Sequence, residues 1–199
     1  MQSGRSAYYD AEAARYDASR GGSERADDAA RAVRRLVPGP GVLLDVGGGT
    51  GIVSAALAAQ GFDVLVTDLS TGMLALARDR LPGRAMAALA DRLPVRPGSV
   101  DVVTAVWLLH LLAPAEADGV LAEAARVLRP GGHLVTTVDK RQAHGQRGAV
   151  ADDRARVTEV AARLGLVPAG ETTFTGASAW GSATDADPVF PLAAFRSGR

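Results

Sequence analysis

The sequence predicts an α/β domain built on a doubly wound, mostly parallel sheet. Short apolar runs alternate with amphipathic segments of about 10–15 residues, which is the pattern of βαβ units. The first run ends in a glycine-rich turn that opens a small-residue helix. Of the 199 residues, 47% are hydrophobic and 22% charged, a balance that suits a globular fold and excludes a disordered chain. The length suits one domain, expected over residues 1–199, with an N-terminal arm or lid at 1–26 and the core at 27–199.

The first 26 residues are polar and set Tyr8, Tyr9 and Tyr16 among charges before Arg20-Gly21-Gly22-Ser23. They read as an arm or short helix laid over the body. From Asp27 to Val37, the residues Ala29, Ala30, Val33 and Leu36 recur at helical spacing, and Pro38-Gly39-Pro40-Gly41 stops the helix. Val42 to Val46 is a buried-strand run, and a helix follows over 50–60. Phe62 to Thr67 reads as a second strand, followed by a helix carrying Met73, Leu74, Ala77 and Leu81. Arg84 to Leu89 is a third strand poor in branched residues, and Ser99 to Trp107 a strong fourth. The next helix carries Ala117, Val120, Leu121, Ala124 and Val127. Arg129-Pro130-Gly131-Gly132 reads as a tight turn before a fifth strand, His133 to Val138. A helix over Asp152 to Leu164 precedes two late strands near Val167–Phe174 and Val189–Phe195.

Composition narrows the chemistry. Twenty-two basic residues balance 22 acidic ones, so the basic field that nucleic-acid binding needs is absent and no such partner is expected. With no cysteine, disulfides, thiolate zinc sites, iron–sulfur clusters and a cysteine nucleophile are excluded, and no metal site is expected. Lys140 is the only lysine. No apolar leader is present and no run reaches the ~18 apolar residues of a membrane span. The expectation is a cytoplasmic protein, monomeric or weakly dimeric, without a membrane partner.

In an open α/β sheet the ligand lies beyond the carboxyl ends of the strands, beside strand one. The turn there is Asp45-Val46-Gly47-Gly48-Gly49-Thr50-Gly51. The dinucleotide pattern G-x-G-x-x-G fails at Ile52, and no Gly-Lys-Ser/Thr ending makes a P-loop. Asp45 would repel pyrophosphate but suits a ligand carrying a cation such as an ammonium. The helix N-terminus at Thr50–Gly51 suits a carboxylate. Ammonium and carboxylate on one carbon make an amino acid. Asp68, ending strand two, can accept both hydroxyls of a ribose. Asp91, after strand three, can accept from an exocyclic amine such as adenine N6. Amino acid, ribose and adenine together make S-adenosylmethionine.

These blocks resemble the class I S-adenosylmethionine-dependent methyltransferases, in particular the small-molecule group related to the ubiquinone/menaquinone biosynthesis methyltransferases. The resemblance runs through residues 43–51, Asp68-Leu69-Ser70 with Met73-Leu74, Ala90-Asp91 with Leu93-Pro94-Val95, Val100-Asp101-Val102-Val103, and Ala125 to Gly132. It implies a Rossmann-like seven-stranded sheet of order 3-2-1-4-5-7-6 with strand seven antiparallel. It implies that Gly47, Gly49 and Gly51 let backbone approach the methionine moiety, and that Asp45 holds its ammonium side. By the same resemblance Asp68 binds the ribose, Leu69 and Met73 pack on the adenine, Asp91 accepts from N6, and the Arg92 N–H reaches N1. The arm, with Tyr8, Tyr9, Tyr16 and Arg20, is similar to a segment that covers the cofactor in relatives, with Tyr16 and Arg20 as the expected cofactor contacts, and Trp107 is a further wall candidate. Gly48 departs from the cysteine, serine or alanine that relatives often carry, which should loosen the turn without removing a ligand.

Because the sulfonium is an activated methyl donor, the implied reaction is a single in-line displacement to a small-molecule acceptor, driven by proximity and alignment. A base is needed only for a poorly acidic hydroxyl or a protonated amine. His110, after strand four, is one candidate base or substrate contact; the other reading is a half-buried histidine closing a helix start. His144, in the loop after strand five, is the second candidate, against a solvated loop residue. His133 lies at the opposite end of the sheet and reads as structural. Trp107, Phe174 and Trp180 either wall an apolar substrate pocket or pack in the core and loops. A chain that binds S-adenosylmethionine without transferring its methyl stays open as an alternative. A nicotinamide oxidoreductase is disfavoured by Ile52, by Asp45 and by the lack of a Tyr-x-x-x-Lys pair.

Overall fold

The computed structural model describes residues 2–140, 151–176 and 188–198, with side chains from Ser6 onward. The chain opens with two helices, α1 (Gln2–Ser19) and α2 (Gly22–Leu36), separated where Gly21 takes a φ of 86°. There follow β1 (Val42–Val46), α3 (Ile52–Ala59), β2 (Asp63–Asp68), α4 (Thr71–Arg80), β3 (Ala85–Ala87) and β4 (Val100–Ala105). A 3₁₀ turn at Leu109–Leu111 leads to α5 (Pro114–Val127) and β5 (Leu128–Thr137). The remaining described elements are α6 (Arg154–Arg163), β6 (Leu166–Thr175) and β7 (Val189–Ser197).

The seven strands form one sheet of order β3-β2-β1-β4-β5-β7-β6. β1 to β5 pair in parallel, while β7 runs antiparallel to both β5 and β6. This is the doubly wound α/β sheet that the alternation predicts. Because strand side chains alternate, consecutive residues feed opposite cores. Leu44, Val103 and Leu134 pack with Leu121 of α5 and Val157 of α6, while Leu43, Val102 and Val135 pack with Val33 of α2 and Leu57 of α3. No helix among the described residues is long and apolar enough to cross a membrane.

Three boundaries differ from the sequence pattern. The helix expected from Asp27 begins at Gly22, because Arg25 and Ala26 share the buried face with Ala29 and Ala32, a stripe that the charges disguise. The polar first segment is one helix of 18 residues, α1. The Pro-Gly-Gly turn lies inside β5 rather than before it. Val100 pairs with Leu128 and Val102 with His133, so residues 129–132 form a bulge within a continuous strand. Arg129 closes that bulge on Asp101 at 2.8 and 2.9 Å, and Asp101 in turn accepts the Val42 N–H at 2.8 Å.

The two-sided core sets an expectation for stability. Leu134 is fully buried between sheet and helices, so Leu134→Ala should lower the unfolding free energy by about 3 kcal/mol in chemical denaturation. Val167, half exposed on β6 at the sheet edge, should change it by less than about 0.5 kcal/mol when replaced by alanine.

Candidate functional site

One open cleft of about 1230 Å³, mouth included, lies at the carboxyl ends of β1, β2, β3 and β4. Its floor is the turn after β1. Gly47 and Gly49 take φ values of 70° and 57°, a region that glycine enters without strain. A Cβ on Gly49 would meet only the Met73 sulfur, at 4.0 Å, so the turn is open toward the cleft there. Gly48 is glycine for space: a Cβ would lie 2.7 Å from the Asp45 carboxylate and 2.8 Å from Val66. Gly51 lies outside the cleft wall, and a Cβ on it would press on Ala77 of α4 at 3.1 Å. Its smallness serves the packing of α3 against α4.

Asp45 lines the floor but is only 3% exposed. Its carboxylate accepts the Ser54 hydroxyl from α3 and the Thr104 hydroxyl from β4 at 2.7 Å. Burial holds its pKa above the ordinary 3.8, against the lowering effect of the two hydroxyls. Asp68 accepts the Gly49 N–H at 2.9 Å and the Ser70 N–H at 2.8 Å, one on each oxygen. A carboxylate has about four lone-pair sites, so both oxygens keep acceptor capacity. Burial raises its pKa as well. Leu69, Met73 and Asp91 line the same cleft. Arg92 lies outside the wall, and its N–H, expected to reach a ring nitrogen, donates instead to the Leu89 carbonyl at 3.0 Å.

The cover is α1. Ser6, Tyr9 and Tyr16 face the cleft, and Ala13 between them is buried, so one face at i, i+3, i+7, i+10 meets the body. Two aspartates of this helix latch it down. Asp10 accepts from the Ser70 hydroxyl at 2.6 Å and the Gly72 N–H at 2.8 Å, at the start of α4. Asp17 accepts from the Thr50 hydroxyl at 2.6 Å, at the start of α3, and pairs with Arg80 at 2.6 Å. A Cβ on Gly72 would come within 3.0 Å of the Asp10 Cα, so the helices touch through that glycine. Burial raises the Tyr9 hydroxyl well above its ordinary 10, which keeps it protonated. Arg20 lies over the Tyr16 ring at 5.4 Å rather than in the wall.

Arg25 of α2 occupies the inner wall. It is 8% exposed, its guanidinium stacks on Trp107 at 4.2 Å, and its Nε–H has no hydrogen-bond acceptor. Trp107 itself has a φ of 56°, held by its N–H donating to the Thr137 hydroxyl at 2.8 Å, and its ring packs edge-on against Phe174 and Phe190. His110 sits in the 3₁₀ turn outside the wall, with Nε2 3.0 Å from Lys140 Nζ at the end of β5. The backbone of Lys140 is fixed by the buried Asp152, and the preceding Asp139, at φ 53°, accepts from Arg154 at 3.0 and 3.1 Å. His144 and Trp180 lie outside the described residues.

This geometry can be set beside known proteins. The methyltransferase-domain family matches residues 44–136. A demethylmenaquinone methyltransferase of Beutenbergia cavernae is 48% identical over 94 residues, covering 47% of this chain and 38% of that one. One from Parafrankia sp. is 40% identical over 154 residues, covering 64% of this chain and 59% of that one. Over this region the chain is similar to the class I S-adenosylmethionine-dependent methyltransferases. The fold is also that of a solved TehB-like SAM-dependent methyltransferase from Corynebacterium glutamicum, with TM-score 0.66 and 24% identity over 89% of this chain and 90% of that one. The chain thus spans about half the length, or less, of the curated relatives it matches.

The cleft gathers Tyr16, Asp45, Gly47, Gly49, Asp68, Leu69, Met73, Asp91 and Trp107 in its lining, and Arg20, Gly51, Arg92 and His110 lie outside it. Tyr9 and Arg25 complete the wall; the sequence places Tyr9 in the covering arm but does not single out Arg25. The signal for each was helical spacing: Tyr9 shares a face with Ala13 and Tyr16, and Arg25 with Ala29 and Ala32.

Asp45 gives a pH expectation. Its folded pKa lies above the unfolded value, so ionising it opposes folding. The stability of the native chain relative to Asp45→Asn should fall as pH rises from about 3.8 through the raised folded value, then level off. Denaturation midpoints over a pH series check this; a difference that is flat with pH would show that Asp45 has the same pKa folded and unfolded.

Proposed function

We propose that this methyltransferase moves a methyl group from S-adenosylmethionine to a small-molecule acceptor. One observation carries the reading: three carboxylates, Asp45, Asp68 and Asp91, end three neighbouring strands around a single cleft that also contains a buried arginine with an unpaired N–H. That donor set fits the cofactor part by part. Gly47 and Gly49 leave backbone room for the methionine moiety, and the negative Asp45 beneath them favours its ammonium. Arg25 is placed to take the carboxylate, for which the guanidinium fork is suited. Asp68 takes the ribose hydroxyls, Leu69 and Met73 the faces of the adenine, and Asp91 its 6-amine.

When bound, the sulfonium supplies a methyl group already activated toward nucleophiles. The chain then contributes position and exclusion of water. Tyr9 and Tyr16 close the cleft from above, and the turn and strand ends fix the line along which an acceptor must approach for a single displacement. Where an acceptor hydroxyl must lose its proton, His110, in the 3₁₀ turn after β4, is the candidate base. Trp107, backed by the buried Phe174 and Phe190, lines the cleft beside Leu108 and Leu111 and suits a flat apolar acceptor, and the demethylmenaquinone methyltransferases among the relatives support the same class.

Calorimetric titration tests the reading directly. The protein should bind S-adenosylhomocysteine and ignore NADH. Asp68→Ala should weaken that binding by at least about tenfold, ~1.4 kcal/mol, because the ribose loses its acceptor. Arg25→Met should cost about as much while leaving 5′-methylthioadenosine, which has no carboxylate, unaffected. Folded protein that binds no S-adenosylhomocysteine would end the proposal, and a product heavier by one methylene, seen by mass spectrometry, would establish transfer.

A further inference from the structure

The loop that carries Asp91 is held from behind by one stripe of α5. Gly119, Glu123 and Arg126 stand at i, i+4 and i+7, which places them on one face of that helix. A Cβ on Gly119 would lie 2.9 Å from the Cβ of Asp91, so α5 reaches its closest approach to the loop at that glycine. Glu123 accepts the Leu93 N–H at 2.7 Å. Arg126 donates to the Val95 carbonyl at 2.9 Å and to the Leu93 carbonyl at 3.1 Å, and pairs with Glu123 at 2.6 and 2.8 Å. The arginine holds the glutamate carboxyl below its ordinary pKa, so the brace is charged at neutral pH. None of the three residues lines the cleft.

Asp91 itself is solvent-exposed. An exposed carboxylate on a turn selects between ligands only if its backbone is fixed, since a recognition group must be held to about 0.5 Å. We infer that Gly119, Glu123 and Arg126 are positioning residues that aim Asp91 and thereby make the cleft specific for a 6-amino purine. The inference rests on the proposed S-adenosylmethionine reading of the cleft. An amine donates to a carboxylate there, whereas a 6-oxo purine turns an acceptor toward an acceptor and leaves both without a proton between them.

The experiment compares the affinity of the native protein for S-adenosylhomocysteine with that for S-inosylhomocysteine, identical but for oxygen in place of the 6-amine. The native chain should prefer the amine by about tenfold or more. Glu123→Ala, which frees the Leu93 N–H, and Gly119→Ala, which displaces Asp91, should both bring the ratio close to that of Asp91→Ala. Glu123→Gln keeps an oxygen for the Leu93 N–H and should retain most of the preference. Alanine is a better helix former than glycine, so a common loss of ratio in Gly119→Ala and Glu123→Ala is not a loss of helix stability. If the native chain binds neither ligand, the S-adenosylmethionine reading fails. If it binds both equally, or if the variants weaken both ligands alike and keep the native ratio, the positioning inference is overturned while that reading stands.

Discussion

The carboxylate of Asp45, buried beneath the glycine turn, is the constraint on which the cleft depends. A charge inside a sheet is costly unless hydrogen-bonded, and here two hydroxyls answer it, from Ser54 in the first turn of α3 and Thr104 on β4. Those bonds tie β1 to its neighbour and to the helix it feeds, so the turn between them has a fixed shape. They also fix its composition, because any side chain at Gly48 would enter the space the carboxylate fills. The helix end above adds a positive dipole that favours the anion. Asp68 stands close enough that its charge raises the Asp45 pKa further. The floor is therefore a negative site whose electrostatic strain a cationic ligand would relieve.

The cover is built on the same logic from the other side. Asp10 and Asp17 lie seven residues apart on α1, two helical turns, and each meets the beginning of a helix that borders the cleft. Asp10 takes the Gly72 N–H that the start of α4 leaves unpaired, whereas Asp17 takes the Thr50 hydroxyl and the Arg80 guanidinium. Among the described side chains of α1, Ala13 is the one in the buried apolar core.

Much of this was legible in the sequence because the parallel sheet writes itself as unbroken apolar runs. β1, β2 and β4, the late strands and their order follow from alternation and from the resemblance that the glycine turn begins. The acids at 45, 68 and 91 are readable because each ends or follows a strand, where the ligand must lie. What escaped has physical causes. The reach of α1 and α2 was masked because their buried stripes are made of alanine, tyrosine and one arginine rather than branched apolar residues. The bulge in β5 escaped because Pro-Gly-Gly ends most strands, and only the Arg129–Asp101 closure lets this one continue. The Arg92 N–H is engaged in a local turn with the Leu89 carbonyl, and Gly51 meets the packing demand of Ala77, a need that a sequence does not distinguish from close approach to a ligand.

Trp107 and Asp139 hold positive φ values at the ends of neighbouring strands, a conformation that costs a residue with a Cβ about 1–2 kcal/mol. Glycine would relieve that cost at both places. It would also delete the indole that walls the cleft and the carboxylate that clamps Arg154. The strain along this edge is outweighed by what the two side chains hold together: Trp107 anchors the cluster of Phe174, Phe190 and Arg25, and Asp139 fastens the start of α6 to the end of β5.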